Sequence, residues 1–97
     1  MRTFTRGMLA RSKAGHDTGK LYVLTEADSD FVWLCDGKIR TLDRPKKKRR
    51  RHIQIIYQIP GNLRELIEEG GEIRDEHIRK AIKEYERQRD CSNQQEV

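Results

Sequence analysis

Long hydrophobic runs are missing from this chain of 97 residues, and so is any cysteine pattern. No stretch approaches the roughly 18 to 20 apolar residues that a membrane-spanning helix needs, and residues 1–10 lack the apolar core of a secretory signal. We therefore expect a cytoplasmic protein. Cys35 and Cys91 have neither Cys-x-x-Cys spacing nor an adjacent histidine, so we expect reduced thiols, with Cys35 in the core, and no metal site.

Aromatic side chains are also scarce, at 6% of the chain. Proteins that read single-stranded RNA stack bases on exposed aromatic rings, and this sequence has too few rings for such a platform. Trp33 can stack on a base, but its neighbours are apolar, so we expect it in the core or at its margin. A nucleophile with a base and an orienting acid is missing, as is a Gly-Lys-Ser/Thr phosphate loop. We expect no enzyme activity and no cofactor.

Positive charge, by contrast, is abundant and concentrated in residues 44–52, which we call the basic segment. The net charge is +5, and this segment alone carries seven cations: Arg44, Lys46, Lys47, Lys48, Arg49, Arg50 and Arg51. Fourteen basic and six acidic residues lie up to Ile59, whereas seven basic and ten acidic residues follow it. So dense a positive field suits a nucleic-acid backbone. The alternatives are a solvated, mobile loop and a nuclear import signal.

Short β-prone blocks separated by turn formers fill the first part of the chain. We predict five strands, over residues 8–10, 21–25, 31–35, 38–42 and 52–57, with a type I′ hairpin at Asp36-Gly37. Five short strands at such close spacing along the sequence are typical of a small, strongly bent barrel. Because Phe31–Cys35 is apolar at every position, we expect another element to cover the face that strand alternation would expose.

Two helices are predicted after the strands. Asn62 and Glu65 have capping-box spacing for the first helix, which Gly70-Gly71 ends. The second is predicted from Asp75 to Arg89, and we expect its apolar stripe to pack on the barrel; the stripe consists of Ile78, Ala81, Ile82 and Tyr85. The predicted organisation is a barrel at residues 5–59 with a basic loop at 44–52, a helical extension at 60–91 that packs on the barrel, and a disordered tail at 92–97.

A second candidate binding element precedes the second predicted strand. Residues 12–20, which we call the glycine loop, contain Gly15 and Gly19 among polar residues. Glycine permits positive φ and lets backbone amides approach a phosphate or a sugar. The glycine pair alone is a weak signal.

Together the two segments resemble the KOW domain, over residues 5–58. The likeness lies in residues 7–20, in Asp36-Gly37-Lys38-Ile39-Arg40, and in residues 44–48 and 52–54. It is closest to small bacterial KOW-domain RNA-binding proteins akin to a large-subunit ribosomal protein of archaea and eukaryotes. The resemblance implies a five-stranded SH3-like barrel, mainly β with C-terminal α, that binds structured ribosomal RNA in translation or ribosome assembly.

The resemblance and the charge pattern together give a set of expected RNA-binding residues. They are Lys13, Gly15, His16, Asp17, Thr18, Gly19, Lys20, Lys38, Arg40, Arg44, Lys46, Lys47, Lys48, Arg49, Arg50, Arg51 and His52. Three other functions remain open: a structural ribosomal subunit, a DNA-binding module and a protein-binding SH3-like adaptor. The acidic C-terminal helices are a further candidate site for a protein partner.

Overall fold

The computed structural model describes residues 3–95, and side chains within residues 3–89. In this part of the chain, five strands and two α-helices follow one another, with a single 3₁₀ turn between the last two strands. They are β1 (Leu9–Ser12), β2 (Leu21–Ala27), β3 (Phe31–Cys35), β4 (Lys46–Arg49), the 3₁₀ turn (Arg50–His52), β5 (Ile53–Ile56), α1 (Gly61–Glu68) and α2 (Asp75–Gln95).

All five strands belong to one antiparallel sheet, in the order β4-β3-β2-β1-β5. The short predicted strands β1, β2, β3 and β5 are therefore confirmed, with shifts of a residue or two at their ends. A register shift between Leu24 and Glu26 interrupts the pairing of β2 with β3, and such irregularities increase the local bend of a sheet. Because β4 and β5 have no ladder between them among the described residues, closure of the sheet into a barrel is not shown.

The predicted strand at residues 38–42 and its type I′ hairpin are wrong. The carboxylate of Asp36 accepts hydrogen bonds from the backbone amides of Lys38 and Arg40, both at 2.9 Å. The amides of Asp36 and Gly37 both donate to the carbonyl of Arg40. These bonds close a compact loop, so the amides at 38 and 40 are not free for a β-ladder.

The fourth strand instead lies in the basic segment, where we expected a loop. Residues Lys46–Arg49 pair with β3, and the register sets Lys47 opposite Trp33 and Arg49 opposite Phe31. Lysine and arginine have modest β propensity, so this strand forms because its apolar neighbour β3 provides a ladder and ring faces. At the edge of a sheet, a lysine-rich strand also discourages pairing with other chains.

Apolar side chains pack on both faces of the sheet. One face, which we call the helix face, carries a cluster shared with the two helices: Leu9, Leu21, Val23, Cys35, Leu63, Ile73, Ile78 and Ala81. The opposite face, which we call the far face, carries a second cluster: Ala10, Tyr22, Leu24, Val32, Leu34 and Ile53. The placement of Cys35 in the core is confirmed, since this residue is a buried free thiol.

The helix α2 packs on the sheet as predicted. Its residues Ile78 and Ala81 are fully buried, and Ile82 and Tyr85 pack against the same cluster. The helix begins at Asp75 as predicted but runs to Gln95, so the end predicted at Arg89 is too early. Of the tail predicted to be disordered, residues 96 and 97 lie outside the described residues.

The predicted capping box at α1 is wrong. The helix begins one residue before Asn62, its N-cap is Pro60, and no side chain caps it. Asn62 instead donates from Nδ2 to the carbonyl of His77 in α2, at 3.0 Å, and so ties the two helices together. The predicted stop is confirmed, since α1 ends just before Gly70, which has a φ of +73°.

Candidate nucleic-acid interface

The glycine loop and the basic segment meet at one side chain, Asp17. Its Oδ2 accepts hydrogen bonds from Tyr22 Oη at 2.7 Å and from Lys46 Nζ at 2.9 Å. Its Oδ1 accepts from Ser12 Oγ and from Lys48 Nζ, both at 2.9 Å. One carboxylate in the loop thus binds two lysines of β4, and it fixes the two predicted RNA-binding elements side by side.

These contacts determine the protonation of the cluster. Burial by itself raises the pKa of Asp17, but hydrogen bonds from Tyr22, Lys48, Lys46 and Ser12 hold it far below its ordinary value. Burial and the bond to Asp17 both raise the pKa of Tyr22. Asp17 is therefore a fixed anion at neutral pH that neutralises part of the basic segment from within.

Backbone contacts join the same two elements. The amide of Lys13 donates to the carbonyl of His52 at 2.8 Å, and Lys48 Nζ donates to the carbonyl of Ala14 at 2.8 Å. Within the loop, Gly15 and Gly19 both have φ near +90° (+89° and +91°), as predicted from their permissive backbone. The carbonyl of Gly15 accepts a bond from Thr18 Oγ1 at 2.6 Å, which closes a turn. The glycine loop is an ordered corner.

Alternation along β4 divides the cations of the basic segment between two faces of the sheet. Lys46 and Lys48 lie on the far face with Asp17, and the side chain of Lys48 is only 10% exposed. Lys47 and Arg49 lie on the helix face, where both are exposed. The run therefore does not present all its charges to one surface, as a fully extended loop would.

The exposed aromatic side of β3 is covered by these cations. Lys47 Nζ lies 4.3 Å from the ring centroid of Phe31 and 5.5 Å from that of Trp33, and the guanidinium of Arg49 lies 5.2 Å from Phe31. Contacts of this kind are favourable cation–π interactions. The helices reach β3 only near Cys35, so they cover only part of the face for which we predicted a cover. Trp33 is partly buried, but it belongs to neither of the two apolar clusters.

At the 3₁₀ turn, the three side chains have different environments. Arg50 stacks on Phe4, with its guanidinium carbon 3.9 Å from the ring centroid, and it donates to the carbonyl of Asp28 at 2.8 Å. Arg51 is exposed and makes no hydrogen bond or ion pair with other described residues, and His52 is half-buried. Arg51 is therefore a cation available to a partner, whereas Arg50 is held by the protein itself.

The remaining candidates flank this corner. Lys13, His16 and Thr18 are exposed on the glycine loop, and Arg44 is exposed just before β4. Lys20, at the end of the loop, forms an ion pair with Asp36 at 2.7 Å. This pair joins the end of the glycine loop to residues 36–40, where Lys38 and Arg40 are exposed. The basic segment instead contacts the start of the loop, through Lys48 and Ala14.

The carboxylate of Asp36 has a role that sequence reasoning missed. Burial by itself raises its pKa, but the Lys20 ammonium and the amides of Lys38 and Arg40 lower it below the ordinary value. Arg11 was missed too, and it donates from Nη1 to the carbonyl of Gly19 at 2.7 Å. A basic residue in a strand that leads into a glycine-rich turn is the only signal that pointed to this contact.

No helix within the described residues is long and apolar enough to cross a membrane. The same part of the chain contains no group of three or more His, Cys, Asp or Glu side chains arranged to hold a metal ion. Comparisons of the sequence with models of protein families and with curated proteins found no match.

Proposed function

We propose that this protein binds structured RNA through a single surface formed by the glycine loop and the basic segment. The observation that carries the proposal is the Asp17 cluster. It holds the two elements together, and of the cations in the basic segment only Lys46 and Lys48 form ion pairs with Asp17. Exposed cations that flank this cluster, among them Lys13, Arg44 and Arg51, stay available for phosphates. Phosphate contacts of this kind provide affinity and fix orientation, while RNA shape provides specificity.

The fold supports the same proposal. An antiparallel sheet of five short strands with a packed far face is compatible with the KOW-type SH3-like barrel that the resemblance implies. The resemblance of the glycine loop and basic segment to KOW domains makes ribosomal RNA the preferred target, in the cytoplasm. Asp17 is assigned a supporting role, since its carboxylate already accepts four hydrogen bonds.

Binding to matched RNA and DNA duplexes, titrated by filter binding over a range of salt concentrations, tests the proposal. We expect a preference for RNA, and a slope of about 0.7 to 0.9 in log affinity against log salt for each phosphate contact. A triple variant, Lys13→Gln/Arg44→Gln/Arg51→Gln, removes three exposed cations of the surface. Its slope should fall by about 2 to 3, and its affinity for all RNAs should fall together.

A second triple variant, Arg64→Gln/Arg74→Gln/Arg89→Gln, is the matched control, which we call the control variant. It removes the same charge from exposed positions in the helical part of the chain. We expect it to bind RNA almost as the wild type does. Equal binding of RNA and DNA would favour a DNA-binding or general polyanion-binding role. Equal losses of RNA affinity in both triple variants would mean that net charge alone explains the binding.

A further inference from the structure

A cleft of about 1120 Å³ opens on the helix face of the sheet, between the end of the glycine loop, residues 36–39 and α2. Its lining includes seven cationic side chains and two carboxylates. The loop and sheet side contributes Arg11, Lys20 and Lys38, and α2 contributes the remaining cations. This cationic cleft shares Gly19 and Lys20 with the glycine loop, and its α2 cations lie outside the surface built around Asp17.

The cations of α2 form one stripe. Arg79, Lys83 and Arg87 are spaced four residues apart, which places them on one side of the helix, and Lys80 lies beside them. Lys80, Lys83 and Arg87 are exposed and make no hydrogen bond or ion pair with other described residues. Repulsion between like charges at this spacing is unfavourable for the helix itself, so an anionic partner would relieve it.

The helix that carries this stripe is held against the sheet. Arg79 Nη1 donates to the carbonyl of Gly37 at 2.6 Å, and the Asp75 carboxylate accepts a bond from the amide of Leu42 at 2.8 Å. The buried side chains of Ile78 and Ala81 fix the rotation of the helix about its axis. The stripe is therefore presented at a defined angle to the glycine loop.

The carboxylates do little to offset this charge. Asp36 is already paired with Lys20, and among the described residues Glu86 is the one other carboxylate in the lining. Residues 60–89, whose side chains the structure describes, contain eight acidic and seven basic residues, yet four of these basic residues line the cleft with a single acidic one. Among the described side chains of this part of the chain, seven of the eight carboxylates thus lie outside the cleft lining, so this part of the chain does not simply repel a polyanion.

We infer that this cleft is a second phosphate-binding surface for RNA, continuous with the first through the glycine loop. The inference rests on the proposed function. Gly19 and Lys20 line the cleft, while Ala14 and Gly15, at the other end of the loop, lie against Lys48. An RNA seated on the loop therefore extends one way along the basic segment and the other way along α2. Cations on both sides of the loop that neutralise phosphates release counterions condensed on the RNA, so both groups contribute to one salt dependence of the affinity.

The test is a salt titration of the full chain with a fluorescently labelled RNA hairpin, using a variant that changes only α2. Lys80→Gln/Lys83→Gln/Arg87→Gln keeps residues of good helix propensity and leaves the Arg79 bond to Gly37 in place. We expect the affinity to fall about tenfold at physiological salt, and the salt slope to fall by about 2 to 3. Circular dichroism and urea unfolding should match those of the wild type.

The control variant Arg64→Gln/Arg74→Gln/Arg89→Gln removes the same charge outside the cleft and should bind within about twofold of the wild type. A cleft variant that binds as the wild type does would overturn the inference and leave the cleft to an acidic protein. Equal losses in the cleft and control variants would also overturn it. A wild type that binds no RNA would overturn the proposed function, and the inference with it.

Discussion

Asp17 is the residue on which the arrangement of the candidate site depends, because it is a nearly buried anion between two lysines. Its side chain is 11% exposed, and that of Lys48 is 10% exposed. Removing the charge leaves Lys48 without its counter-ion in a poorly solvated position, which is the costly way to break such a pair. We therefore expect Asp17→Asn to lower the free energy of unfolding by about 2 to 3 kcal/mol in urea titrations.

The exposed carboxylate at Asp30 provides the control. Asp30→Asn removes the same charge without breaking a side-chain bond or ion pair within the described residues, so its unfolding should change by less than about 0.5 kcal/mol. If Asp17→Asn were as stable as Asp30→Asn, the two lysines would need no internal anion. The basic segment would then be held to the glycine loop by the backbone contacts alone.

The stability that the Asp17 carboxylate contributes should depend on pH in a defined direction. The native pKa of Asp17 is lowered from the ordinary 3.8, so its contribution is complete above that value and is lost as the pH falls below it. The difference in stability between the wild type and Asp17→Asn should be constant at neutral pH and shrink below about pH 4. Other lowered carboxylates, such as Asp36, titrate in both proteins and cancel in this difference.

Among the elements, the start of α2 contacts the loop at residues 36–40 so closely that only a glycine fits at position 37. A Cβ on Gly37 would lie 2.5 Å from the carbonyl oxygen of Asp75 and 2.7 Å from Cγ of Arg79. Gly19 has a similar positive φ, but a Cβ there would meet nothing within 4 Å. Alanine substitutions at Gly19 and Gly37 therefore separate two contributions to the free energy of unfolding, that of the positive φ and that of the close contact with α2.

We expect Gly19→Ala to lower the free energy of unfolding by about 1 kcal/mol and Gly37→Ala by about 2 to 4 kcal/mol. The larger loss arises because the start of α2 must move away from residues 36–40. Urea unfolding of both variants measures the difference. Equal losses would mean that the contact between α2 and this loop yields easily, and that the angle of the cationic stripe is not fixed by it.

The strands that the sequence predicted are those whose own side chains form the two apolar clusters. β4 was missed because its residues are all cationic, and nothing in their local pattern predicts that the neighbouring strand will pair with them. The false strand at residues 38–42 arose from a good turn signal at Asp36-Gly37. Its strand propensity is overridden by local bonds from the Lys38 and Arg40 amides to the Asp36 carboxylate. That carboxylate is buried and paired with Lys20, and the sequence does not reveal this ion pair.

The candidate site was predictable to a similar extent. The sequence identified both segments, and the resemblance to KOW domains put them on one scaffold. It did not predict that Asp17 would neutralise Lys46 and Lys48, because a carboxylate inside a predicted anion-binding loop is at first sight unfavourable. Nor did it predict the stripe on α2, because the acidic composition of that region conceals the segregation of its charges on folding.

For the whole molecule, the proposed function requires that the glycine loop and the basic segment bind RNA together. An amide titration by ¹H–¹⁵N NMR spectroscopy, in which an RNA hairpin is added to the labelled protein, tests this most directly. We predict that the amides of Lys13, Gly15, Gly19 and Arg51 shift together, with one apparent affinity, while those of α1 do not. Shifts confined to one of the two segments, or an unaffected glycine loop, would contradict the account.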